Sequence, residues 1–376
     1  LLVVLAAVLG TSIGHLAWHS QRAASPVNPF TGPGSGASPF GGFPGDGGGS
    51  SNGGSGPSNS SGGPANVGNI ATKVQADLVD INTTLQYQQA LAAGTGVVLT
   101  SNGVVLTNNH VIAGATKISA TDIGNGKTYT ATVVGYDESH DIAVLQLKHA
   151  SGLASAKIGD SSKLAVGQAV VGIGNAGGQG GTPSSAGGSI TALNQSITAS
   201  DELDGSNEQL SGLIATNANI QSGDSGGPLV DKNGTVIGVD TAASGGFSFS
   251  SQNGQGFAIP INQAMSIHQQ IKAGRGSASV HIGPTAFIGV LIDPQGSGQS
   301  SGAVINQAVA GGAAANAGLQ PGDTITSING QTVSTAAAIT KLLIPFHPGD
   351  HLRLGWIDTS GQAHTSTVRL TQGPPA

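Results

Sequence analysis

The feature that most limits the fold of this chain is a long series of short apolar and β-branched runs between residues 70 and 260. The runs include TGVVLT, GVVLTNNHVI, YTATVVGYD, DIAVLQL, AVVGIG, GTVIGVDT and GFAIP, and Gly, Asn or Asp residues separate them. Runs of strand length with turn residues on both sides indicate β-strands, and the segment has almost no helical periodicity. Closely spaced short strands predict a closed β-barrel or a sandwich.

The pattern changes after residue 260. INQAMSIHQQIKAG places Ile261, Met265, Ile267 and Ile271 near helical spacing and ends at Gly274, which predicts a connecting helix with a C-cap. Farther along, FIGVLID and GAVINQAV are typical of strands, GGAAANAG of a short helix and LQPGDTITSINGQTV of a hairpin. STAAAITKLLIPF predicts a helix stopped by a proline, followed by the strands HLRLGWID and HTSTVRL. These segments predict a small α+β domain.

The first stretch, LLVVLAAVLGTSIGHLAW, is apolar except for two hydroxyl residues and one histidine. As a helix it would be about 27 Å long, close to the roughly 30 Å hydrocarbon thickness of a bilayer. We expect a transmembrane anchor over residues 1–20. A cleaved signal peptide and a buried core helix are the alternatives.

The next segment, residues 21–68, is composed mainly of Gly, Ser and Pro. Such a segment cannot bury enough apolar area to offset its chain entropy, so we expect a disordered linker. An anchor followed by a tether predicts a single-pass protein of the cell membrane whose other domains are extracytoplasmic.

Composition excludes several kinds of site. Only 9% of the residues are charged and the net charge is −6, so the chain has no basic footprint for nucleic acid. It has no cysteine, which excludes disulfides, thiolate metal sites and cysteine catalysis. His347 and His351 are four residues apart, but the Pro and Gly between them prevent a shared helix face. We expect neither a metal site nor a cofactor.

The segment QSGDSGGPLV suggests a nucleophilic serine, Ser225. An acyl-transfer serine needs a base, an acid that orients the base, and N–H donors for the oxyanion. His110 follows a strand in VVLTNNHVI and Asp141 begins another in SHDIAVLQL, whereas we interpret His140 as a bystander. Each of these residues alone is more often a turn or core residue, but the three together predict a catalytic triad.

A second enzyme interpretation starts from the same residues, because GDSGG also fits the G-x-S-x-G nucleophile elbow. That elbow opens a helix, and the acid and the histidine come later in the chain. Here GPLV continues as a strand and no strand–helix alternation surrounds it. The elbow is therefore the weaker interpretation.

The segments TNNHVI, HDIAVLQL and GDSGGPLV, in this order, resemble the chymotrypsin-like serine peptidases. ATNANIQSGDSGGPLV and GFAIPIN are similar to the HtrA family in particular, and FIGV with GLQPGDTITSINGQTV resembles a PDZ domain. The resemblance implies a mainly β fold. It places a trypsin-like protease domain of two six-stranded β-barrels over residues 69–275 and a small α+β PDZ domain over residues 282–372.

The resemblance also assigns roles to individual residues. His110 would be the general base and then the general acid, Asp141 would orient its imidazole, and Ser225 would attack the carbonyl carbon. The backbone N–H groups of Gly223 and Ser225 would form the oxyanion hole. A glycine at 223 suits this role because it can adopt the backbone conformation that turns N–H groups inward.

Other residues are assigned to the substrate pocket. Asn219, six positions before the serine, would form its floor, and because it is uncharged we expect apolar or small P1 residues. The walls would come from Thr241, Ala242, Phe257 and Ala258.

One residue departs from the family pattern. HtrA sequences commonly have Asn before the serine, whereas this chain has Asp224. In trypsin-like zymogens an Asp at this place pairs with a newly freed amino terminus, but the chain has no Ile-Val-Gly-Gly-like start. Asp224 must therefore find another partner or remain solvated.

The PDZ resemblance implies that a peptide C-terminus adds as a strand beside FIGV. The residues expected to bind it are Phe287, Ile288, Gly289, Val290 and, on the facing helix, Leu342. The resemblance as a whole implies an endopeptidase for unfolded or damaged extracytoplasmic proteins, regulated by C-terminal peptides and assembled as a homotrimer. The alternative is a protease-inactive chaperone or scaffold that binds misfolded chains or C-terminal peptides.

Overall fold

The computed structural model describes residues 57–201, 207–241, 247–249, 255–293 and 302–376. All of the described residues belong to one compact unit. The predicted anchor, most of the predicted linker and Ala242 lie outside the described residues. Within the described ranges, no helix is long and apolar enough to span a membrane.

In chain order, the helices are α1 (Val67–Val74), α2 (Ile261–Lys272), α3 (Ala313–Asn316) and α4 (Ala336–Leu343). The strands are β1 (Ser58–Asn59), β2 (Leu78–Leu85), β3 (Ala90–Val98), β4 (Val104–Thr107), β5 (Lys117–Asp122), β6 (Thr128–Asp137), β7 (Ile142–Leu147), β8 (Ala169–Gly174), β9 (Ser184–Asp201), β10 (Asn207–Thr216), β11 (Pro228–Asp231), β12 (Val236–Thr241), β13 (Phe247–Phe249), β14 (Gly256–Pro260), β15 (Val280–Ile282), β16 (Ala286–Phe287), β17 (Val290–Ile292), β18 (Ala303–Ala308), β19 (Thr324–Ile328), β20 (Gln331–Thr332), β21 (His351–Ile357), β22 (Ala363–Arg369) and β23 (Thr371–Gln372).

Strands β2 to β7 form a closed, antiparallel, six-stranded barrel. Their hydrogen-bonding order is β5-β2-β3-β4-β7-β6, and β6 pairs back to β5 to close the ring. The interior is filled by apolar side chains such as Ile81, Val105 and Leu145, each fully buried. The predicted closed barrel is confirmed by this arrangement, and β15 adds to it beside β6.

Strands β8 to β14 form a second antiparallel sheet with the order β9-β10-β14-β12-β11-β8. β8 also pairs with β9, so this sheet returns to its first strand. β13 pairs with β9 as well. The turn between β10 and β11, which holds the predicted nucleophile, lies between strands whose apolar residues are fully buried, among them Ile173, Leu229 and Val239.

The predicted linker extends too far along the chain. Ser58 and Asn59 pair in parallel with β9, and α1 already begins at Val67, which is buried. The close approach is possible because β9 contains glycines at this point, and a Cβ placed on Gly187 would lie 2.5 Å from the Asn59 Oδ1. The disordered linker that the composition predicts therefore does not include residues 57–68.

The connecting helix forms where the sequence predicts it. Ile261 is fully buried and Gly274 adopts a φ of 65° just beyond the helix, as the C-cap signal requires. Ala264 is also fully buried, whereas Met265 is only partly buried against the same core.

The final α+β domain has a six-stranded sheet in the order β17-β18-β19-β21-β22, with β20 paired to β19. Its core includes Ile325, Leu354 and Trp356, and Ile339 is the buried residue of α4. The N-terminus of α4 is capped by Thr335, whose hydroxyl accepts a hydrogen bond from an N–H of the first turn. FIGVLID is not one strand as predicted, because Gly289 has a φ of 84° and separates β16 from β17.

Candidate active site

His110 and Asp141 lie in direct contact. His110 comes three residues after β4, and its Nδ1 is 2.9 Å from Asp141 Oδ2. The His110 backbone N–H also donates to Asp141 Oδ1 at 2.9 Å. One carboxylate therefore holds both the imidazole and the backbone of the same histidine, which restricts the ring to one orientation.

The position of Asp141 depends on an uncommon backbone conformation. Asp141 ends a short 3-10 helix and has a φ of 52°, in the left-handed region that few residues other than glycine adopt. The Asn108 amide donates to its carbonyl oxygen at 2.9 Å, and the Thr241 hydroxyl donates to its Oδ2 at 3.1 Å. Asp141 is 2% exposed, so these bonds stabilise a buried carboxylate.

Ser225 lies in a turn whose glycines have no room for side chains. Gly223 has a φ of 95°, and a Cβ on it would collide with the carbonyl oxygen of Asn175. Gly226 has a φ of 83°, and a Cβ there would collide with Thr107. No hydrogen bond within the described part of the chain uses the Gly223 N–H.

Thr95 of β3 clamps this turn to the first barrel. Its hydroxyl donates to the Gly223 carbonyl at 2.8 Å, and its backbone N–H donates to the Ser225 carbonyl at 2.8 Å. The carbonyl groups of Gly223 and Ser225 both point toward Thr95, so the N–H groups between them point away from Thr95. Sequence analysis missed this residue, since nothing in AGTGVV marks a threonine as a clamp.

The Ser225 turn and the His110 segment lie on either side of Gly94. A Cβ on Gly94 would be 2.7 Å from Val111 and 3.2 Å from the Ser225 carbonyl oxygen. Val111 follows His110 directly in the chain. The structure therefore brings the three residues predicted for the triad to one junction between the two sheets.

Asp224 is buried and hydrogen-bonded, so of the two alternatives the structure supports another partner and not a solvated carboxylate. It is 4% exposed. Its Oδ2 accepts from the Gln221 N–H and its Oδ1 is 2.9 Å from the Ser184 hydroxyl. Burial raises the pKa of Asp224, and these hydrogen bonds offset part of that rise.

His140 is attached to a different carboxylate from the one that holds His110. Its Nδ1 lies 2.8 Å from Asp137 Oδ2, and this hydrogen bond raises the pKa of His140. The interpretation of His140 as a bystander to the Asp141 contact agrees with this geometry.

The pocket residues predicted from the resemblance are placed differently. Asn219 is exposed rather than at a buried floor, because it follows the end of β10 at the surface. Phe257 and Ala258 belong to the apolar cores of the second sheet, and the Thr241 hydroxyl contacts Asp141. Ala242 lies outside the described residues. The described side chains therefore do not support an Asn219 floor or the P1 preference drawn from it.

Comparison with known proteins gives two domain matches. The trypsin-like peptidase domain matches residues 94–239, and the PDZ domain matches residues 304–357. The serine protease PepD of Mycobacterium tuberculosis is 35% identical over 82% of this chain and 66% of its own length. The periplasmic pH-dependent serine endoprotease DegQ of Escherichia coli K12 is 38% identical over 70% of this chain and 54% of its own length.

The chain belongs to the HtrA family of trypsin-like serine proteases. It spans about half to two thirds of the length of these curated relatives. A solved structure of the HtrA-type protease AlgW with tripeptide is 28% identical, covers 82% of this chain and 98% of that chain, and has a TM-score of 0.47.

The PDZ domain of this HtrA protein has a groove of about 160 Å³ beside the FIGV segment. Phe287, Ile288, Gly289 and Val290 line it as predicted, but Leu342 does not. On α4 the lining side chains include Ile339 and Leu343 instead.

A segment of the chain connects this groove to the residues around His110. Residues 374–376 line the groove together with Tyr136 of the first barrel. The Asn109 amide donates to the Ala376 carbonyl at 2.8 Å, and the Gly114 N–H donates to the Pro375 carbonyl at 2.9 Å. Asn109 directly precedes His110, so residues 374–376 contact both the PDZ groove and the segment that contains His110.

Proposed function

We propose that this chain is a serine endopeptidase that hydrolyses peptide bonds through His110, Asp141 and Ser225. The observation that carries the proposal is the 2.9 Å contact between His110 Nδ1 and Asp141 Oδ2, at the junction where the Ser225 turn is clamped. A buried carboxylate that is hydrogen-bonded to a histidine in this way is the arrangement needed to make a serine nucleophilic.

The contact with Asp141 decides which nitrogen of His110 can accept a proton. Because Nδ1 donates to the carboxylate, the neutral ring has its lone pair on Nε2. Nε2 would take the proton of Ser225 as its oxygen forms a bond to the substrate carbonyl carbon. Asp141 would stabilise the imidazolium that results, with the Thr241 hydroxyl donating to the same carboxylate oxygen.

The tetrahedral intermediate carries a negative oxygen, and the N–H groups of Gly223 and Ser225 would donate to it. One such donor contributes about 3 kcal/mol to the lowering of the barrier. His110 would then give its proton to the leaving amine as the C–N bond breaks. Water, deprotonated by the same histidine, would attack the acyl-enzyme and release the second product with Ser225 restored.

We propose unfolded or damaged extracytoplasmic proteins as substrates. DegQ and DegP of Escherichia coli K12 are described as periplasmic serine endoproteases, and both are more than 30% identical to this chain. We also propose membrane attachment through residues 1–20 and a homotrimer, for which sedimentation of the detergent-solubilised chain is the test. A monomeric sedimentation coefficient would exclude the trimer.

We propose that peptides bound to the PDZ groove regulate the peptidase. Ser225 is fully buried and the His110 side chain is 4% exposed, so a movement of neighbouring residues would increase the access of a substrate to them. Residues 374–376 would couple such a movement to the PDZ groove, because they contact both the groove and Asn109. A peptide that enters the groove would displace them and alter the segment that precedes His110.

The test of catalysis compares Ser225→Ala with Ser222→Ala. Ser222 is exposed on the same turn, which makes it a matched control. We expect cleavage of unfolded casein and labelling by a serine-directed phosphonate in the unmutated chain and in Ser222→Ala, and neither in Ser225→Ala. Suppression of aggregation by a chain that never cleaves casein would favour the inactive chaperone instead.

The test of regulation compares two forms of one peptide that differ only at the C-terminus. An apolar peptide with a free C-terminal carboxylate should change the rate of casein cleavage, whereas the same peptide with an amidated C-terminus should not. The reason is that a PDZ carboxylate loop binds the charged terminus through backbone N–H groups. Equal effects of the two peptides, or no effect of either, would contradict regulation through the groove.

A further inference from the structure

Two carboxyl groups are buried side by side behind the oxyanion turn. Asp224 is 4% exposed and Asp240, on β12, is fully buried. A Cβ on Gly174 would lie 2.8 Å from Asp224 Oδ1, and a Cβ on Gly172 would lie 3.0 Å from Asp240 Oδ2. Gly172 and Gly174 are two residues apart on β8, so both carboxyl groups pack on the same face of one strand, about 7 Å apart along it.

No cation neutralises this pair within the described part of the chain. None of the ion pairs there includes Asp224 or Asp240. Asp240 lies next to the backbone of Ile173, but neither of its carboxyl oxygens has a hydrogen-bond partner of normal geometry among the described residues. A fully ionised, unpaired carboxylate in such a place would be strongly destabilising.

The hydrogen bonds around Ser184 fit a protonated acid. The Ser184 Oγ is 2.9 Å from Asp224 Oδ1 and 2.9 Å from the Gly174 carbonyl, yet a hydroxyl has only one proton to donate. If Asp224 Oδ1 carries a proton, it donates to Ser184, which donates to Gly174. The Ala176 N–H then occupies the remaining lone pair of Ser184 at 3.3 Å, and every group is satisfied.

The surrounding elements add few other titratable groups. β8 and β14 contain none, and the described side chain of β9 that faces the pair is Ser184. Asp231 on β11 accepts hydrogen bonds from its own turn. Thr241, next to Asp240, reaches Asp141 and through it His110. Burial, and repulsion by Asp224, raise the pKa of Asp240 well above its ordinary value.

Both residues are tied to the turn that contains Ser225. The Gly226 N–H donates to the Asp240 carbonyl at 2.9 Å, and the Asp240 N–H donates to the Gly227 carbonyl at 2.7 Å. Asp224 lies between the two proposed oxyanion donors. Repulsion between two ionised carboxylates would therefore act directly on the backbone of this turn.

We propose that Asp224 and Asp240 form a proton-holding carboxyl pair that positions the oxyanion turn, so that the turn keeps its active geometry only while at least one of them is protonated. This inference rests on the proposed peptidase function. Both are positioning residues, since they act through the backbone N–H groups of Gly223 and Ser225. The pair also explains why an acid is tolerated at a position where the family commonly has Asn.

The test is the pH dependence of kcat/KM for four chains: unmutated, Asp224→Asn, Asp240→Asn and Asp231→Asn. Asparagine has the shape of the protonated acid but cannot ionise. We expect the unmutated chain and Asp231→Asn to lose activity along the same alkaline limb. In Asp240→Asn the limb should move upward by about one pH unit or more, and Asp224→Asn gives the same test if Asp240→Asn does not fold. An unchanged limb in folded variants would overturn the positioning role.

A second measurement does not need activity. In Ser225→Ala, the infrared band of a protonated carboxyl should persist at neutral pH, where exposed carboxyl groups are ionised, and adding either Asp→Asn substitution should weaken it. Absence of the band overturns the proposed protonated carboxyl group. A chain that shows the band but cleaves nothing would defeat the proposed function, and the positioning role with it, while leaving the protonated carboxyl group established.

Discussion

The substitution Gly174→Ala tests how closely the oxyanion turn is packed. A Cβ on Gly174 would lie 2.5 Å from the Asp224 Cα and 3.0 Å from its Cβ, distances that real Cβ atoms do not reach. Ordinary contact is about 3.5–4 Å, so the turn has to retreat by about 1 Å. The obstacle is backbone rather than a flexible side chain, so rotation of a side chain cannot relieve it.

A retreat of that size takes the N–H groups on either side of Asp224 out of hydrogen-bonding range of the oxyanion. Loss of one donor costs about 3 kcal/mol, so kcat on a peptide substrate should fall about 100-fold or more. Overpacking should lower the free energy of unfolding by about 1–3 kcal/mol. Steady-state kinetics and thermal unfolding measure the two effects.

The matched control is Gly276→Ala. A Cβ on Gly276 has its nearest neighbour at 3.5 Å, which is normal contact. This variant should keep both activity and stability. Full activity of Gly174→Ala at an unchanged unfolding temperature would refute the reasoning that a side chain at this position displaces the oxyanion turn.

Three further predictions address other parts of the chain. Thr241→Val removes the donor to Asp141 and should lower kcat about tenfold or more with little change in KM, because a hydrogen bond to a charged group contributes about 1.5–3 kcal/mol; a parallel rise in KM would contradict this. The pKa of Asp240 is raised from 3.8 in the folded chain, so the folded state binds more protons than the unfolded state. The free energy of unfolding should therefore fall as the pH rises above 3.8, until the pH has passed the folded-state pKa of Asp240. Urea titrations of Asp240→Asn should show a smaller fall, and an equal fall in both chains would exclude this assignment. Leu354→Ala, in the fully buried PDZ core, should cost about 2–5 kcal/mol in the unfolding of that domain, measured by calorimetry, and a loss below 1 kcal/mol would show a core that collapses around the cavity.

The residues proposed for catalysis could be selected from the sequence because each lies in a short local pattern. His110 follows a strand and Asp141 precedes one, and both strands were visible as short apolar runs. The left-handed conformation of Asp141 could not be predicted, since it depends on hydrogen bonds from Asn108 and Thr241, the latter 100 residues away. Local sequence shows which residues can do chemistry, whereas distant contacts decide how they are held.

The residues that sequence reasoning misplaced share this dependence on distant parts of the chain. Asp224 bonds to Ser184, 40 residues earlier, so its partner was not apparent from QSGDSGGPLV. Asn219 was placed by counting back from Ser225, but counting does not show that β10 ends at Thr216 and leaves Asn219 at the surface. Composition alone also could not show that residues 57–68 pack against the glycines of β9.

The contacts of residues 374–376 bear on how this protease should be dissected. A shortened chain that stops after α2 would be a tempting reagent, because it keeps His110, Asp141 and Ser225. It would also remove the acceptors of the Asn109 amide and the Gly114 N–H, which lie one and four residues from His110. Kinetics measured on such a fragment would describe a protein that lacks the contacts between the PDZ groove and the His110 segment, rather than the full chain.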